Sequence, residues 1–198
     1  MNDDREGRPA PVQRPRLHRK GRLRETAQTL LFLVAVYVLL EMTIPRSVVL
    51  SISMEPNLIA DQRLLISRVS YLFGEPARGE IVVFIPPNQP ADDPPLIKRV
   101  IGLPGETVTF QDQVIFINGV KLDEPYLNEP CRIGRCPNET WTLGDAEYFF
   151  MGDNRNHSHD SRAFGAIQRD HIIGRAVLRW WPPSKWGILS YNYSDPAQ

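Results

Sequence analysis

Net charge is missing from this sequence. Its 198 residues hold 23 Lys or Arg against 23 Asp or Glu. Eight of the basic residues, with four acidic ones, fall within residues 1–25, so the remainder of the chain is net negative. A nucleic-acid binder interleaves basic residues with aromatics across a folded surface; here the basic residues stop where an apolar run begins, which argues against that class. Cysteine is scarce, with only Cys131 and Cys136, separated by four residues in a loop that contains proline. Two thiols alone make a poor zinc site, which leaves a disulfide or free surface thiols as the alternatives. No internal repeat is present. Long apolar runs are also absent, with one exception.

That exception is residues 26–44, TAQTLLFLVAVYVLLEMTI, without Pro or Gly and with Glu41 as its only charge. As a helix it is long enough to cross a hydrocarbon core of about 30 Å. A core helix of a soluble protein would carry a polar stripe, and a cleaved signal peptide would end in small residues spaced A-x-A. The exit is instead Thr43-Ile44-Pro45-Arg46, so an uncleaved single-pass anchor in a lipid bilayer is expected. Arg16, Arg19, Lys20, Arg22 and Arg24 crowd its N-terminal flank, and the positive-inside rule keeps that end cytoplasmic. The expected layout is a flexible, basic cytoplasmic tail over residues 1–25, the anchor over 26–44, and an outward-facing region over 45–198.

Beyond the anchor the pattern becomes short and β-like. Residues 64–69, 81–85, 96–101, 108–110, 114–117 and 148–151 are runs rich in β-branched or aromatic side chains. Asn118-Gly119, between VIFI and VKL, is a hairpin signal because a type I′ turn needs two residues tolerant of positive φ. Pro86-Pro87, Pro90 and Pro94-Pro95 mark a loop that cannot join a ladder. The outer region is therefore expected to be mainly antiparallel β with little helix.

Three segments carry residues fit for chemistry. Ser51-Ile52-Ser53-Met54-Glu55-Pro56-Asn57-Leu58 follows the anchor within about nine residues, a link that spans about 30 Å at most and so holds Ser53 near the outer membrane face. Leu96-Ile97-Lys98-Arg99-Val100-Ile101-Gly102-Leu103-Pro104-Gly105 puts Lys98 and Arg99 on opposite faces of a strand, and the pattern leaves open which face is buried. Gly152-Asp153-Asn154-Arg155-Asn156-His157-Ser158-His159-Asp160-Ser161-Arg162, read alone, is a turn held by Asp and Arg pairs.

In this order, the three segments resemble the bacterial type I signal peptidases, which show S-M-x-P-T-L after a membrane anchor, then K-R-V-I-G-x-P-G, then G-D-N-R-x-N-S-x-D-S-R. Arg78-Gly79-Glu80-Ile81-Val82-Val83-Phe84 is similar to a further family segment, R-G-D-I-V-V-F. Asn57 stands where the family usually has Thr and Glu80 where it has Asp, and two histidines sit inside the third motif. The resemblance implies a fold like that of self-cleaving repressor proteases. It also implies a serine endopeptidase of the bacterial plasma membrane that removes signal peptides from exported preproteins, with no metal or cofactor.

Residue by residue, the resemblance implies Ser53 as nucleophile, Lys98 as general base and the Ser51 hydroxyl, beside the Ser53 backbone N–H, as the oxyanion hole. It assigns Ser158 to a hydrogen bond with the lysine, Asp160 and Arg162 to a supporting ion pair, and Asp153, Asn154 and Arg155 to the supporting turn. Val49, Met54, Leu96 and Ile97 become walls of small pockets for the first and third residues before the cut. A lysine titrates ordinarily near about 10.4, so it is a base at neutral pH only if burial disfavours its charge. A carboxylate beside it would undo that, so Asp160 should satisfy Arg162 and not Lys98. Some bacterial signal peptidases carry a comparable cysteine pair, which favours a bond between Cys131 and Cys136. The rival readings are a metal held by His157, His159 and Asp160, a Ser/His/Asp triad, a relative that processes a narrower client set, and a tethered binding module without activity. Exposed loop positions are the expectation for both histidines.

Overall fold

The computed structural model describes residues 19–189 except 88, 91 and 137. The tail expected over residues 1–25 therefore lies outside the described residues as far as residue 18, and from Arg19 the chain is helical. The contacts divide the chain between Leu39 and Leu40. Helix α1 (Arg19–Thr43) contains the stretch Arg24–Thr43, which is long and apolar enough to cross a membrane and has no part buried in protein. Leu30, Leu31, Phe32, Leu33 and Val34 are consecutive and each more than half exposed, so every side of the helix is apolar. Such a surface suits lipid, which makes the helix consistent with a membrane anchor.

The unit from Leu40 onwards is built of antiparallel strands. A first group comprises β1 (Arg46–Val48), β2 (Arg63–Ser67), β3 (Ile81–Phe84) and β4 (Leu96–Gly102). The chain then makes a separate sheet of β5 (Thr107–Gln111), β6 (Val114–Ile117), β7 (Val120–Lys121) and β8 (Glu139–Thr142). It returns with β9 (Glu147–Met151), β10 (Ile167–Gln168), β11 (Ile172–Trp181) and β12 (Gly187–Ile188), and a one-turn helix α2 (Ser161–Phe164) lies between β9 and β10. The main sheet runs β1-β2-β11-β3-β4-β9-β10, with β12 on β11, and the second runs β7-β6-β5-β8.

Alternation along β3 and β4 sorts the main sheet into two faces. Ile81, Val83 and Ile97 pack with Val49, Met54, Leu58, Leu64 and Ile66 on one. Val82, Phe84 and Val100 pack with Tyr148, Phe150, Ile167 and Ile172 on the other. The second sheet folds Val108, Phe110, Ile115 and Ile117 over Phe149 and Met151. Its β6–β7 hairpin turns through Asn118 and Gly119 at φ 50° and 82°, the left-handed pair that a type I′ turn demands. Residues 86–95 form no strand among those described.

Five strands, β1, β8, β10, β11 and β12, were not expected from the sequence. β11 is ten residues long and lies between β2 and β3, yet IIGRAVLRWW shows no clean alternation. Its irregularity has structural causes: the register slips at three points along its pairing with β2 and β3, and Arg175 is drawn onto Glu80 at 2.7 Å. A Cβ on Gly174 would meet the Ser67 carbonyl oxygen at 2.7 Å, so the apolar run must break there for the strands to approach.

Gly102, at the end of β4, sits where the two sheets join. A Cβ there would lie 2.5 Å from Val108 Cγ2, 2.7 Å from Leu143 Cδ1 and 3.0 Å from Phe149 Cβ. Gly102→Ala is expected to overpack this junction and cost about 1–3 kcal/mol of stability, read as a lowered denaturation midpoint for the detergent-solubilised protein. An unchanged midpoint would show that the second sheet is free to shift.

Candidate active site

Ser53 is delivered by a tight local turn. Val49 is tied to the following loop, donating from its N–H to the Gln62 carbonyl and accepting from the Asp61 N–H. Ser51 is extended at φ −135° and ψ 164°, Ile52–Met54 form a single 3₁₀ turn, and Glu55 is again extended, the conformation required before Pro56. Met54 is anchored in the core beside Val49 and Leu58. The outcome is that Ser53 faces inward, only 5% exposed.

Lys98 comes from β4, opposite Val82 of β3, and is 3% exposed. Its Nζ lies 2.7 Å from Ser53 Oγ, and Ser51 Oγ lies 3.0 Å from the same atom. Burial brings the Lys98 amine down to about 8. The charges of Asp160 and Asp153 oppose that fall, and Arg162 assists it. Desolvation wins because each nearby carboxylate is already engaged by an arginine.

The segment after β9 supplies the frame. Asn154 donates its backbone N–H to the Ser53 carbonyl at 3.0 Å and its side-chain amide to the Ile52 carbonyl at 3.3 Å. Arg155 is buried and grips Glu124 with both terminal nitrogens, at 2.9 and 2.5 Å. Asp160 caps α2 and accepts from Arg162 Nε and Nη2 at 2.8 Å each, while its second oxygen also takes the Gly152 N–H at 3.0 Å. Burial alone would raise the Asp160 carboxyl, but Arg162 and the Gly152 N–H together hold it below its ordinary value.

Ser158 departs from expectation. Its Oγ is buried and makes no hydrogen bond of good geometry, to Lys98 or to any other group. The reason is packing: the side chain lies over Gly152, where a Cβ would meet Ser158 Oγ at 2.3 Å and the Ser53 carbonyl oxygen at 2.4 Å. Gly152 is the close contact that lets this segment and the serine turn share one space.

The other face of β4 holds what sequence reasoning passed over. Arg99 is as buried as Lys98. It donates to Asp153 through Nε at 2.7 Å and Nη2 at 2.6 Å, and to the Gly79 carbonyl at 2.7 Å. The Tyr126 ring stacks over its guanidinium at 4.0 Å. Asn57, four residues from Ser53, donates its amide to Asp153 Oδ2 at 2.8 Å and to the Tyr126 carbonyl at 2.9 Å. The adjacency of Lys98 and Arg99 was the available signal, since a strand buried on both faces must find a partner for each charge.

The remaining residues divide. Val49, Met54 and Ile97 share one core cluster, whereas Leu96 packs with the opposite one. Cys131 and Cys136 are disulfide-bonded, and Arg162 Nη1 approaches Cys136 Sγ at 2.7 Å. His157 and His159 are exposed, His159 resting edge-on against Phe164 at 5.5 Å between ring centroids. Among the described residues no group of three His, Cys, Asp or Glu side chains is placed to hold a metal ion. A buried hydroxyl, an amine in contact with it whose charge burial disfavours, and a second hydroxyl alongside form a nucleophile, a base and a donor, the requirements of acyl transfer.

Comparison with known proteins points the same way. The family model "Signal peptidase, peptidase S26" matches residues 23–181. "Signal peptidase I" of Leptolyngbya laminosa is 41% identical over 145 residues, covering 69% of this chain and 68% of that protein. "Probable signal peptidase I-2" of Synechocystis is 40% identical over 143 residues, covering 71% of this chain and 64% of that one. "Signal peptidase IB" of Staphylococcus aureus (strain MRSA252) is 33% identical over 183 residues, covering 85% and 90%. A crystal structure of a signal peptidase I from Enterococcus faecalis V583, 34% identical, covers 52% of this chain and 97% of its own with a TM-score of 0.45.

The electrostatics of the amine can be tested without any substrate. Competitive labelling of Lys98 with a small amine-reactive reagent is expected to show a midpoint at about pH 8. Asp160→Asn removes a charge that favours the ammonium form, so the midpoint should move lower still. A midpoint near the ordinary lysine value, or an upward move in the variant, would mean that the amine is solvated.

Proposed function

The chain belongs to the signal peptidase family, peptidase S26, and is a serine endopeptidase that cleaves signal peptides; from that premise we propose that Ser53 is its nucleophile and Lys98 its general base. The observation that carries this assignment is the 2.7 Å contact between Lys98 Nζ and Ser53 Oγ in a buried setting. The neutral amine accepts the Ser53 proton as Oγ attacks the carbonyl carbon of the scissile bond. The negative oxygen that forms is stabilised by the Ser51 hydroxyl and the Ser53 backbone N–H; one such donor is worth about 3 kcal/mol in the transition state. The lysine ammonium then gives its proton to the departing amine nitrogen, which leaves an ester on Ser53. Water, deprotonated by the same amine, attacks that ester and frees the enzyme.

Substrate placement follows from the ladder. β9 ends at Met151, opposite Arg99, so among the described strands Leu96, Ile97 and Lys98 pair only with β3. An extended preprotein segment adds here as a further strand and presents its carbonyl to Ser53. Val49, Met54 and Ile97 form the walls that admit only small residues at the first and third positions before the cut. Asp160 and Arg162 set the loop that faces the lysine, and Asp153, Asn154 and Arg155 set the serine turn. Residues 26–44 anchor the enzyme in the plasma membrane with the N-terminus cytoplasmic and residues 45–198 outside, a reading supported by the basic flank before the apolar helix.

Two measurements test this reading. Ser53→Ala and Lys98→Arg are each expected to abolish preprotein cleavage while the protein stays folded, because a guanidinium keeps the charge but does not deprotonate. His157→Ala should retain most activity. The wild-type rate should rise with pH and reach half its plateau near about 8, since only the neutral amine is competent and the buried amine titrates there. Near wild-type cleavage by Lys98→Arg would remove the lysine from the mechanism. For orientation, protease added outside spheroplasts should digest the catalytic region and spare the N-terminal tail, and digestion of the tail would reverse the topology.

A further inference from the structure

The residues expected to wall a single set of small pockets lie on two faces of β4, and the face of Leu96 is the face of Lys98. Val49, Met54 and Ile97 are on the opposite side of the sheet. Leu96 instead borders a cavity of about 510 Å³ lined by Pro86, Pro87, Pro90, Leu96, His159 and Phe164. The floor is fixed in the core, since Phe164 meets Phe84 at 6.2 Å and Phe84 meets Phe150 at 4.5 Å between ring centroids. The far wall is held by Gln89, whose side-chain amide donates to the Asp93 and Pro94 carbonyls at 3.1 and 2.9 Å and whose N–H donates to the Pro86 carbonyl at 3.3 Å. Prolines have one fixed backbone angle each, so the wall loses little freedom when a ligand arrives. His159 follows Ser158 in the chain, so one wall of the cavity belongs to the segment that carries Ser158 and Asp160.

We propose that this cavity is a specificity subsite for an apolar side chain of the signal peptide, at the second or fourth position before the cut. The proposal rests on the substrate placement given above. Residues before the cut run along Leu96 and Ile97, because Ile97 walls the pockets for the first and third of them. Side chains of an added strand alternate between faces. When the first and third point to the face of Ile97, the second and fourth point to the face of Leu96, where this cavity opens. The residues after the cut leave past Lys98 in the other direction. Four proline rings, Leu96 and Phe164 make up most of the lining, with Gln89, Asp93 and His159 as its polar part, so the occupant it stabilises is an aliphatic side chain and not a charged one.

The test uses the full-length protein in detergent micelles and a set of peptides with alanine at the first and third positions before the cut. Leucine replaces alanine singly at the second position, at the fourth, or at the second residue after the cut, and kcat/KM is measured for each. We expect wild type to favour leucine over alanine by about tenfold at one of the two even positions. The leucine-to-alanine ratio should fall below about twofold in His159→Trp, which narrows the cavity, and in Leu96→Ala, which removes a wall. Because the ratio compares two substrates of one enzyme, a general loss of activity in either variant leaves it interpretable. A preference that both variants leave intact, or one found only after the cut, overturns the subsite. Cleavage of the all-alanine peptide without any leucine preference also overturns it while leaving the peptidase mechanism standing. If no Ser53-dependent cleavage occurred at all, both would fall together.

Discussion

The structure depends on keeping one amine out of water. An amine brought from 10.5 to about 8 has about 3 kcal/mol of disfavoured charge, and that energy comes from packing. Two carboxylates lie within electrostatic reach and oppose the shift. Each is held by an arginine, Asp160 by Arg162 and Asp153 by Arg99. The ion pairs answer a problem set by Lys98: buried acids are needed to shape the turns, and unpaired they would lift the amine back towards its ordinary value.

The same logic explains why the strand bearing Lys98 carries Arg99 next to it. One strand serves two faces, with the chemistry on one and a clamp on the other. Arg99, Asp153, Tyr126 and Asn57 connect β4 to the segment that holds the serine. Asn57 takes part through an amide that reaches two acceptors at once. The hydroxyl of the threonine common in the family has one proton to donate and cannot supply both. Distance between serine and lysine is thus governed from behind the strand, through rigid charged hydrogen bonds.

Much of this was legible in the sequence. Short β-branched runs, the Asn118-Gly119 turn and the apolar helix each follow from local rules that tertiary contacts did not override. The motif around Ser53, Lys98 and Asp160 was legible as a set because its segments are long and ordered. β11 was not, since its pattern is broken by Gly174, which Ser67 crowds, and by Arg175, which Glu80 neutralises. Contacts between distant segments leave no local trace. Alternation along β4 places Leu96 and Ile97 on opposite faces, but it does not show what each face would border, and nothing near Ser158 showed that its hydroxyl would be turned onto Gly152. Those outcomes are decided by what arrives from elsewhere in the chain.

The second sheet leaves the main one after Gly102 and returns at Glu147, on strands that pair with each other. Its ends are therefore pinned side by side, and chain added within it costs only a slowly growing loop entropy. Where it touches the catalytic frame it cannot change freely, because Glu124 holds Arg155 and Tyr126 covers Arg99. The hairpin at Asn118 and Gly119 makes no such contact. Lengthening the chain at that tip would enlarge the protein and leave the geometry around Lys98 as it is, so this is the place where the architecture tolerates growth, whether by natural insertion or by grafting a foreign domain.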